Sequence, residues 1–250
     1  MTLAPSIPLW RELLPNSERI EIIGRRDAAG DPELVDLAAG SVVSIGQNEL
    51  VTDADLIKRS GPPLRLRMTG QATATASTLG SFGSVANDGI AFAGAFVPNQ
   101  SSLSGIAPLF GALDAANRLA MRLNDGRLQL AIGDGGDSAG IIADAGVDAE
   151  LVIFAMNRHP AGGAIILDGR PVASTTTGTY PTGMSNFTNP ATIGEHDGQT
   201  FAGDLALLLG AAGAEAAALT VTQLEQIANS IALEGRCRIP GFGRRCAGVR

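Results

Sequence analysis

Aromatic residues, cysteine and lysine are scarce in this sequence. Its 250 residues include one tryptophan, one tyrosine, two cysteines and a single lysine. So few cysteines exclude a small fold held by several disulfides, and so few rings disfavour a sugar site built from stacked aromatics. Cys237 and Cys246 either form one disulfide or remain free, and both possibilities stay open. His159 and His196 are far from them in the sequence, so we expect no metal site there.

The charge balance is acidic, which limits the classes of partner. The chain has 25 acidic and 18 basic residues, a net charge of −7 and a pI of about 4.8. Such a surface repels phosphate groups, so neither nucleic acid nor an anionic membrane is an expected partner. The sequence contains no uncharged apolar run of about 18 residues, and none of its segments is expected to span a membrane. The first residues have no basic segment followed by a long apolar one, so no secretory signal is expected.

The arrangement of short apolar segments predicts one all-β domain with two extensions. Many short stretches alternate between apolar and polar residues and are separated by Gly, Pro, Asn or Asp. This pattern is typical of a two-sheet antiparallel jelly-roll sandwich. We assign residues 1–60 to an N-terminal arm and edge strands, residues 61–233 to the sandwich, and residues 234–250 to a basic tail. Residues 61–63, Gly-Pro-Pro, mark the predicted boundary.

Two Asp-Gly dipeptides predict hairpins with defined registers. Asp125-Gly126 suits a two-residue type I′ turn, in which both central residues take positive φ. That turn pairs Leu123 with Leu128, Met121 with Leu130, and Leu119 with Ile132. A slip of one residue would break every apolar pair, so the register is well determined. Asp168-Gly169 predicts a second hairpin that pairs Ile166 with Pro171 and Ile165 with Val172.

A late helix is predicted over residues 222–232. Its apolar residues recur at helical spacing: Leu224, Ile227, Ala228 and Ile231. Thr222 and Glu225 have the spacing of a capping box. We therefore expect one short helix whose apolar stripe lies against the outside of the sandwich.

The order of these elements resembles a known family. The hairpin sequence ILDGRPV is followed by ATIG, FAGDLALLLG and LTVTQLEQIANSIA. This order resembles the C-terminal half of concanavalin A-like, laminin G-type domains, over about residues 85–232. The resemblance implies the sandwich fold, in a family of lectins, adhesion modules, glucanases and modules of phage and bacterial surfaces. The chain departs from the family at residues 207–210, where leucines replace the usual acidic and aromatic residues.

Two short motifs bear on catalysis. Residues 136–140 match the G-x-S-x-G nucleophile elbow around Ser138, but residues 141–146 are too short and glycine-bounded for the helix that this motif requires. The glucanases of the family use E-x-D-x-E on one strand, whereas this chain has Glu195-His196-Asp197 on a predicted loop without a third carboxylate. We therefore expect a protein that is not an enzyme, and a serine hydrolase remains a second alternative.

Several residues are candidates for ligand or metal binding. Tyr180 lies in a polar loop and is the candidate for a ring that stacks on a ligand, with His196 and Asp197 as polar candidates. Asp134 and Asp137 lie in a glycine-rich loop and are candidate calcium ligands, although a solvated acidic loop is the favoured interpretation. No other cofactor is expected.

The two ends of the chain suggest contacts with other subunits. The candidate residues are Trp10, Arg236, Arg238, Arg244 and Arg245. The alternative for Trp10 is that it packs on its own domain. Our main hypothesis from the sequence is a structural or attachment protein of a phage-like virion, assembled as a homo-oligomer. The alternative is a carbohydrate-binding lectin module, secreted or on a bacterial surface, with a surface glycan as its partner.

Overall fold

The computed structural model describes residues 6–52, 64–70, 74–114 and 117–236. In chain order the elements are α1 (Ser6–Leu13), β1 (Glu18–Arg26), β2 (Pro32–Asp36), β3 (Ser41–Val42), β4 (Glu49–Thr52), β5 (Leu64–Thr69), β6 (Ala74–Gly80), α2 (Phe82–Val85), β7 (Ile90–Pro98), a 3₁₀ turn (Gln100–Leu103), β8 (Ile106–Leu113), β9 (Arg118–Asn124), β10 (Arg127–Gly133), β11 (Ser138–Ala143), β12 (Val152–His159), β13 (Gly162–Leu167), β14 (Arg170–Val172), β15 (Ser174–Gly178), β16 (Phe187–Ile193), β17 (Glu195–His196), β18 (Gln199–Thr200), β19 (Ala202–Ala212), α3 (Ala214–Ala218) and α4 (Val221–Arg236).

Two antiparallel sheets form the sandwich. The larger has ten strands in the order β14-β13-β12-β7-β19-β5-β1-β2-β3, with β4 beside β5. The smaller has seven, in the order β15-β11-β10-β9-β8-β16-β6, and β17 and β18 form a separate hairpin. The expected two-sheet antiparallel jelly-roll sandwich is confirmed.

Both predicted hairpins have the predicted registers. In the β9–β10 hairpin Leu123 pairs with Leu128 and Met121 with Leu130, and φ is 49° at Asp125. In the β13–β14 hairpin Ile166 pairs with Pro171. A third hairpin joins β17 to β18 through Asp197-Gly198, where φ is also positive, although the sequence interpretation placed these residues in a loop. The same Asp-Gly signal therefore marks all three turns.

The space between the two sheets holds the main core. Its largest side chains are phenylalanines, among them Phe92, Phe96, Phe110 and Phe154, and all of these are buried. Phe96 makes edge contacts with Phe154 and Phe201 at ring distances of 5.8 and 6.0 Å. Most of the aromatic content of the chain is therefore used to hold the sheets together.

A second apolar layer lies on the outer face of the ten-stranded sheet. Small side chains of β7, such as Ala91 and Ala93, alternate outward and allow helices to approach the sheet closely. Helices α1, α3 and α4 cover this face, and the predicted stripe of α4 lies against it. The cap of α4 is Thr220 with Gln223, two residues before the predicted pair, because the Thr220 hydroxyl accepts from the Gln223 N–H at 3.3 Å.

Trp10 belongs to this outer layer. Its side chain is fully buried between α1 and the ten-stranded sheet, so the prediction that it contacts another subunit is wrong. Arg11 of the same helix pairs with the buried carboxylate of Glu21 in β1, with Nε and Oε1 2.9 Å apart. The N-terminal helix is therefore packed on its own domain.

The predicted segment boundaries are only partly within the described residues. Residues 61–63 lie outside them, and strands on both sides of that position share one sheet. Helix α4 extends to Arg236, beyond the predicted start of the tail at residue 234. Outside the described residues are Cys237, Arg238, Arg244, Arg245 and Cys246, and the predictions made for them stay predictions. None of the helices in the described part of the chain has the length and apolarity needed to cross a membrane.

Candidate functional site

A groove of about 620 Å³ lies on the outer face of the seven-stranded sheet. It crosses β8, β9, β10, β11 and β15, and the β17–β18 hairpin stands at one end. On β9 the lining residues are Arg118, Ala120 and Arg122, at alternate positions, because side chains on one face of a strand recur every second residue. The intervening residues Leu119 and Met121 belong to the main core. We refer to this feature as the groove.

The floor of the groove is a row of very small residues. Gly111 pairs with Ala120, Ala120 with Ala131, and Ala131 with Gly140, so the row crosses four adjacent strands without a large side chain. Thr177 of β15 continues the row beside Gly140. A groove forms here because this row lacks large side chains, whereas long ones such as Arg118, Arg122 and Gln129 lie beside it.

Two arginines of β9 stand on either side of the floor. Arg118 and Arg122 flank Ala120 along the strand and both line the groove. Arg122 Nε donates to Gln129 Oε1 at 2.8 Å, which fixes its guanidinium along the groove. Burial lowers the pKa of Arg122, and the positive charge of Arg118 lowers it further. Among the described residues neither arginine forms an ion pair with a carboxylate.

The β17–β18 hairpin closes the groove at β8. His196 is buried, at 8% exposure, and lies directly over Gly111. A Cβ on Gly111 would stand 2.3 Å from His196 Nδ1, so only glycine leaves room for the ring. Gln199 and Asp197 of the same hairpin also line the groove.

Strand β8 gives the groove an apolar side. Ile106 and Leu113, at the two ends of β8, are among the few large hydrophobic residues exposed in the described chain, at 38% and 43%. Pro108 lies between them and also lines the groove. Strand β8 is an interior strand, and its register is irregular between Pro108 and Phe110, since a proline cannot donate to the strand ladder. Leu113 pairs with Arg118 and Pro108 with Arg122, so apolar and hydrogen-bonding groups lie next to each other along both sides of the floor.

His196 and Asp197 are the predicted site residues that the fold brings into the groove. Tyr180 is not one of them. It is buried at 6% exposure, and its hydroxyl donates to the carbonyl oxygen of Ala86 at 2.6 Å. Burial raises the pKa of this hydroxyl. The expectation of an exposed ring for stacking is therefore wrong, because Tyr180 closes the sandwich interior beside Arg158, whose guanidinium lies 5.2 Å from the ring centre.

Asp134 organises a loop. Its Oδ1 accepts from the backbone N–H groups of Gly136 and Asp137 at 3.1 and 2.8 Å, and its Oδ2 accepts from Gly183 at 3.1 Å. These backbone donors, led by that of Asp137, lower the pKa of Asp134. The described residues contain no group of three His, Cys, Asp or Glu side chains arranged to hold a metal ion. Calcium binding by Asp134 and Asp137 stays a prediction.

Ser138 does not lie on a nucleophile elbow. It is the first residue of β11 and pairs with Gly133 across the β10–β11 hairpin. The motif requires a helix directly after the serine, whereas here the chain continues as a strand. Ser138 instead contributes a hydroxyl to the rim of the groove.

Arg118, Arg122 and Gln129 were missed from the sequence, although a signal for them existed. The β9–β10 register, once predicted, places these three side chains on the face opposite Leu119, Met121 and Leu123. That alternation identifies an outward polar face, but it gives no sign that the face is concave. The hairpin that closes it comes from residues 195–200, far away in the sequence.

The two histidines predict a pH dependence of stability. Burial, above all, lowers the pKa of both His159 and His196. Between the lowered folded pKa and the unfolded value of about 6.5, the unfolded chain binds more protons. We therefore expect the free energy of unfolding to be highest above about pH 6.5 and to fall as the pH drops below it. Denaturant unfolding across this range measures the slope, and His196→Gln should reduce it; an unchanged slope would contradict this assignment.

Known structures share the fold of this chain at low sequence identity. Botulinum neurotoxin type C, whose cell entry depends on interaction with two ganglioside molecules, matches with a TM-score of 0.58 and 11% identity over 85% of this chain and 51% of that chain. The binding domain of Paraclostridial Mosquitocidal Protein 1 gives 0.58 and 15% over 87% and 53%. Domain 4 of AbnA, an extracellular arabinanase of Geobacillus stearothermophilus in complex with arabinotriose, gives 0.52 and 15% over 84% and 100%.

These similarities show the fold alone. This chain spans about half the length of the toxin chains that it matches. Neither the comparison with protein-family models nor that with curated proteins finds a match. Any ligand of this chain must therefore be inferred from its own groove.

Proposed function

We propose that this protein is a non-catalytic glycan-binding module whose site is the groove. The observation that carries the proposal is the combination of a floor without large side chains and a rim that offers both hydrogen bonds and apolar contact. Functional pockets are typically concave and combine apolar surface with a few placed polar groups. Here that arrangement occurs on the sheet face that none of the helices in the described ranges covers.

The groove offers the two kinds of contact that sugars need. Sugar hydroxyls both donate and accept hydrogen bonds, and the rim supplies guanidinium, amide and hydroxyl groups from Arg122, Gln129 and Thr177. Sugar C–H faces need apolar surface, which Ile106 and Leu113 provide in place of aromatic rings. The scarcity of exposed aromatics therefore does not exclude a glycan site in this fold.

The carboxylates around the groove favour binding over hydrolysis. A glycosidase needs two carboxyl groups that flank the scissile bond. Asp114 Oδ2 accepts from the backbone N–H and the hydroxyl of Thr188, at 2.9 and 2.7 Å. Glu195 Oε1 accepts from the N–H of Gly198 at 2.9 Å. Both are engaged in holding loops, which supports a binding role.

The structural neighbours support the same proposal at the level of fold. The arabinanase domain holds arabinotriose, and the neurotoxin depends on gangliosides, so sandwiches of this shape serve proteins that recognise sugars. Two predictions from the sequence stay predictions. One is display on a phage-like virion or on a bacterial surface, and the other is assembly into a homo-oligomer. A groove that faces solvent is compatible with any of these settings.

Filling the floor tests the proposal. Ala131 is half-buried at the centre of the floor, and Ala131→Trp would place an indole across the groove without entering the core. We expect the affinity for glycans identified on an array to fall at least about tenfold, a loss of about 1.4 kcal/mol, with little change in thermal stability. Titration calorimetry measures the affinity.

The matched control is Ala161→Trp. Ala161 is exposed in the turn between β12 and β13, away from the groove, so this variant adds the same side chain without blocking the floor. It should bind as the unmodified protein does. Absence of binding to every glycan on the array, or full affinity of Ala131→Trp, would reject the proposal.

A further inference from the structure

We propose that the preferred ligand of the groove is an oligosaccharide that carries a carboxylate, and that Arg118 and Arg122 bind that group. This inference rests on the glycan-binding function proposed above and narrows it to a chemical class. The chain as a whole has a net charge of −7, and the groove lining combines Arg118 and Arg122 with the aspartates Asp114 and Asp197. Three arginines lie at the groove or directly behind its floor.

Two of these arginines face the groove, and neither forms an ion pair with a carboxylate of the described residues. Arg118 and Arg122 lie on the same face of β9, four residues apart, on either side of Ala120. Burial lowers the pKa of Arg122, and the neighbouring positive charge of Arg118 lowers it further. A bound anion relieves that repulsion, and a guanidinium binds a carboxylate through two parallel hydrogen bonds.

Arg122 is held ready for such a contact. Its Nε donates to Gln129 Oε1 at 2.8 Å, and in the described part of the chain its terminal nitrogens donate to no other acceptor. Gln129 in turn lies close to the floor, since its Nε2 would be 3.7 Å from a Cβ on Gly140. The guanidinium therefore keeps free donors while its orientation is fixed, which lowers the entropy lost on binding.

A third positive charge lies beneath the floor. Arg158 of β12 is buried at 4% exposure, and its Nε donates to the carbonyl oxygen of Gly140 at 3.3 Å, directly behind the floor. Its NH1 donates to the carbonyl oxygen of Gly162 at 3.0 Å, and no carboxylate among the described residues pairs with it. Because buried charges are screened less by salt, Arg158 adds to the positive potential at the groove.

The other residues that line the groove favour a short acidic saccharide over an extended polyanion. Asp114 and Asp197 also line the groove, and their charges, with the overall negative charge, disfavour an extended polyanion such as nucleic acid. Asp114 accepts from Thr188, and in the described part of the chain no ion pair joins it to Arg118 or Arg122. The apolar side formed by Ile106, Pro108 and Leu113 suits the C–H surface of a sugar ring. A carboxylated sugar binds the arginines through its carboxylate and packs its ring on these apolar residues.

The experiment compares acidic and neutral sugars on the full chain. A glycan array first shows whether the protein prefers acidic or neutral sugars. The array carries neutral oligosaccharides and their sialylated, uronate-containing and sulfated counterparts. The best carboxylated sugar and its methyl ester, which differ only in charge and one methyl group, are then titrated by calorimetry. We expect esterification, Arg118→Gln and Arg122→Gln each to weaken binding at least about tenfold, and added salt to weaken it too.

Arg127→Gln is the matched control. Arg127 lies on the same outer face at the start of β10 but does not line the groove, so the variant removes an equal charge from the same sheet. It should keep full affinity. Equal binding of acid and ester, or full affinity of both groove variants, overturns this inference while glycan binding itself stands. A stronger response to sulfated sugars overturns the carboxylate assignment, and the absence of any glycan binding overturns both proposals.

Discussion

Trp10→Ala is expected to destabilise the isolated chain by about 3–5 kcal/mol, the range for truncating a fully buried large aromatic residue. Trp10 is fully buried in the layer between α1 and the ten-stranded sheet, where it packs among Ile7, Leu14 and small residues of the sheet. Removing the indole leaves a cavity beneath a short helix that has little stability of its own. Denaturant unfolding of both proteins measures the difference in the free energy of unfolding.

Trp10→Phe is the matched variant. The Trp10 Nε1 atom is buried and has no hydrogen-bond partner among the residues that the structure describes, so phenylalanine removes an unsatisfied donor while it keeps most of the apolar contact. We expect a much smaller loss of stability than with alanine. The contrary result would be an unchanged free energy of unfolding in Trp10→Ala together with loss of an oligomer seen by light scattering. Trp10 would then be a contact between subunits, and its burial would not stabilise the single chain.

Gly111→Ala is expected to damage both stability and the groove. The added Cβ would lie 2.3 Å from Nδ1 and 2.7 Å from Cγ of His196, so the ring and its hairpin must move. Overpacking of this kind costs about 1–3 kcal/mol. Because the same hairpin brings Asp197 and Gln199 to the groove, we also expect glycan affinity to fall. Unfolding and calorimetric titration measure the two effects.

Gly136→Ala provides the comparison for this substitution. Gly136 lies in the β10–β11 loop, where a Cβ would meet nothing closer than Asp134 Oδ1 at 3.7 Å, an ordinary contact distance. It should change neither stability nor binding. A Gly111→Ala protein as stable as Gly136→Ala, with unchanged glycan affinity, would show that the hairpin does not depend on the glycine and does not form the end of the groove.

The two sheets differ in what lies outside them, and composition explains why. The outward positions of β7 and β19 in the larger sheet are apolar, with alanines in β7 and leucines in β19, and helices cover them. The outward positions of β9 and β10 carry Arg118, Arg122 and Gln129 and remain in contact with solvent. An apolar face must be covered to be stable in water, whereas a polar face stays open. The open face is therefore where a ligand can bind.

Local sequence rules were sufficient for the registers of two hairpins and for the fold class. The register of β9 with β10 followed from Asp125-Gly126 and from the requirement that apolar partners share a face. The helix α4 and its buried stripe followed from 3.6-residue spacing, with its cap misplaced by two residues. Asp197-Gly198 carried the same hairpin signal, but only two-residue strands flank it, too short for alternation to show.

The positions of single functional candidates depended on contacts between distant segments. Tyr180 has a polar sequence neighbourhood, and yet its hydroxyl reaches Ala86, 94 residues away, inside the sandwich. Trp10 has the sequence context of a free arm, and yet the sheet formed by residues much later in the chain covers it. No local pattern encodes either contact.

The sequence by itself determined which residues alternate, where the chain turns, and hence that two antiparallel sheets form. Only the tertiary structure decided that Gly111, Ala120, Ala131 and Gly140 align into one floor and that His196 closes its end. Hairpin registers arise from neighbours a few residues apart, whereas a concave surface arises from the order and curvature of strands that meet only after the whole chain has folded.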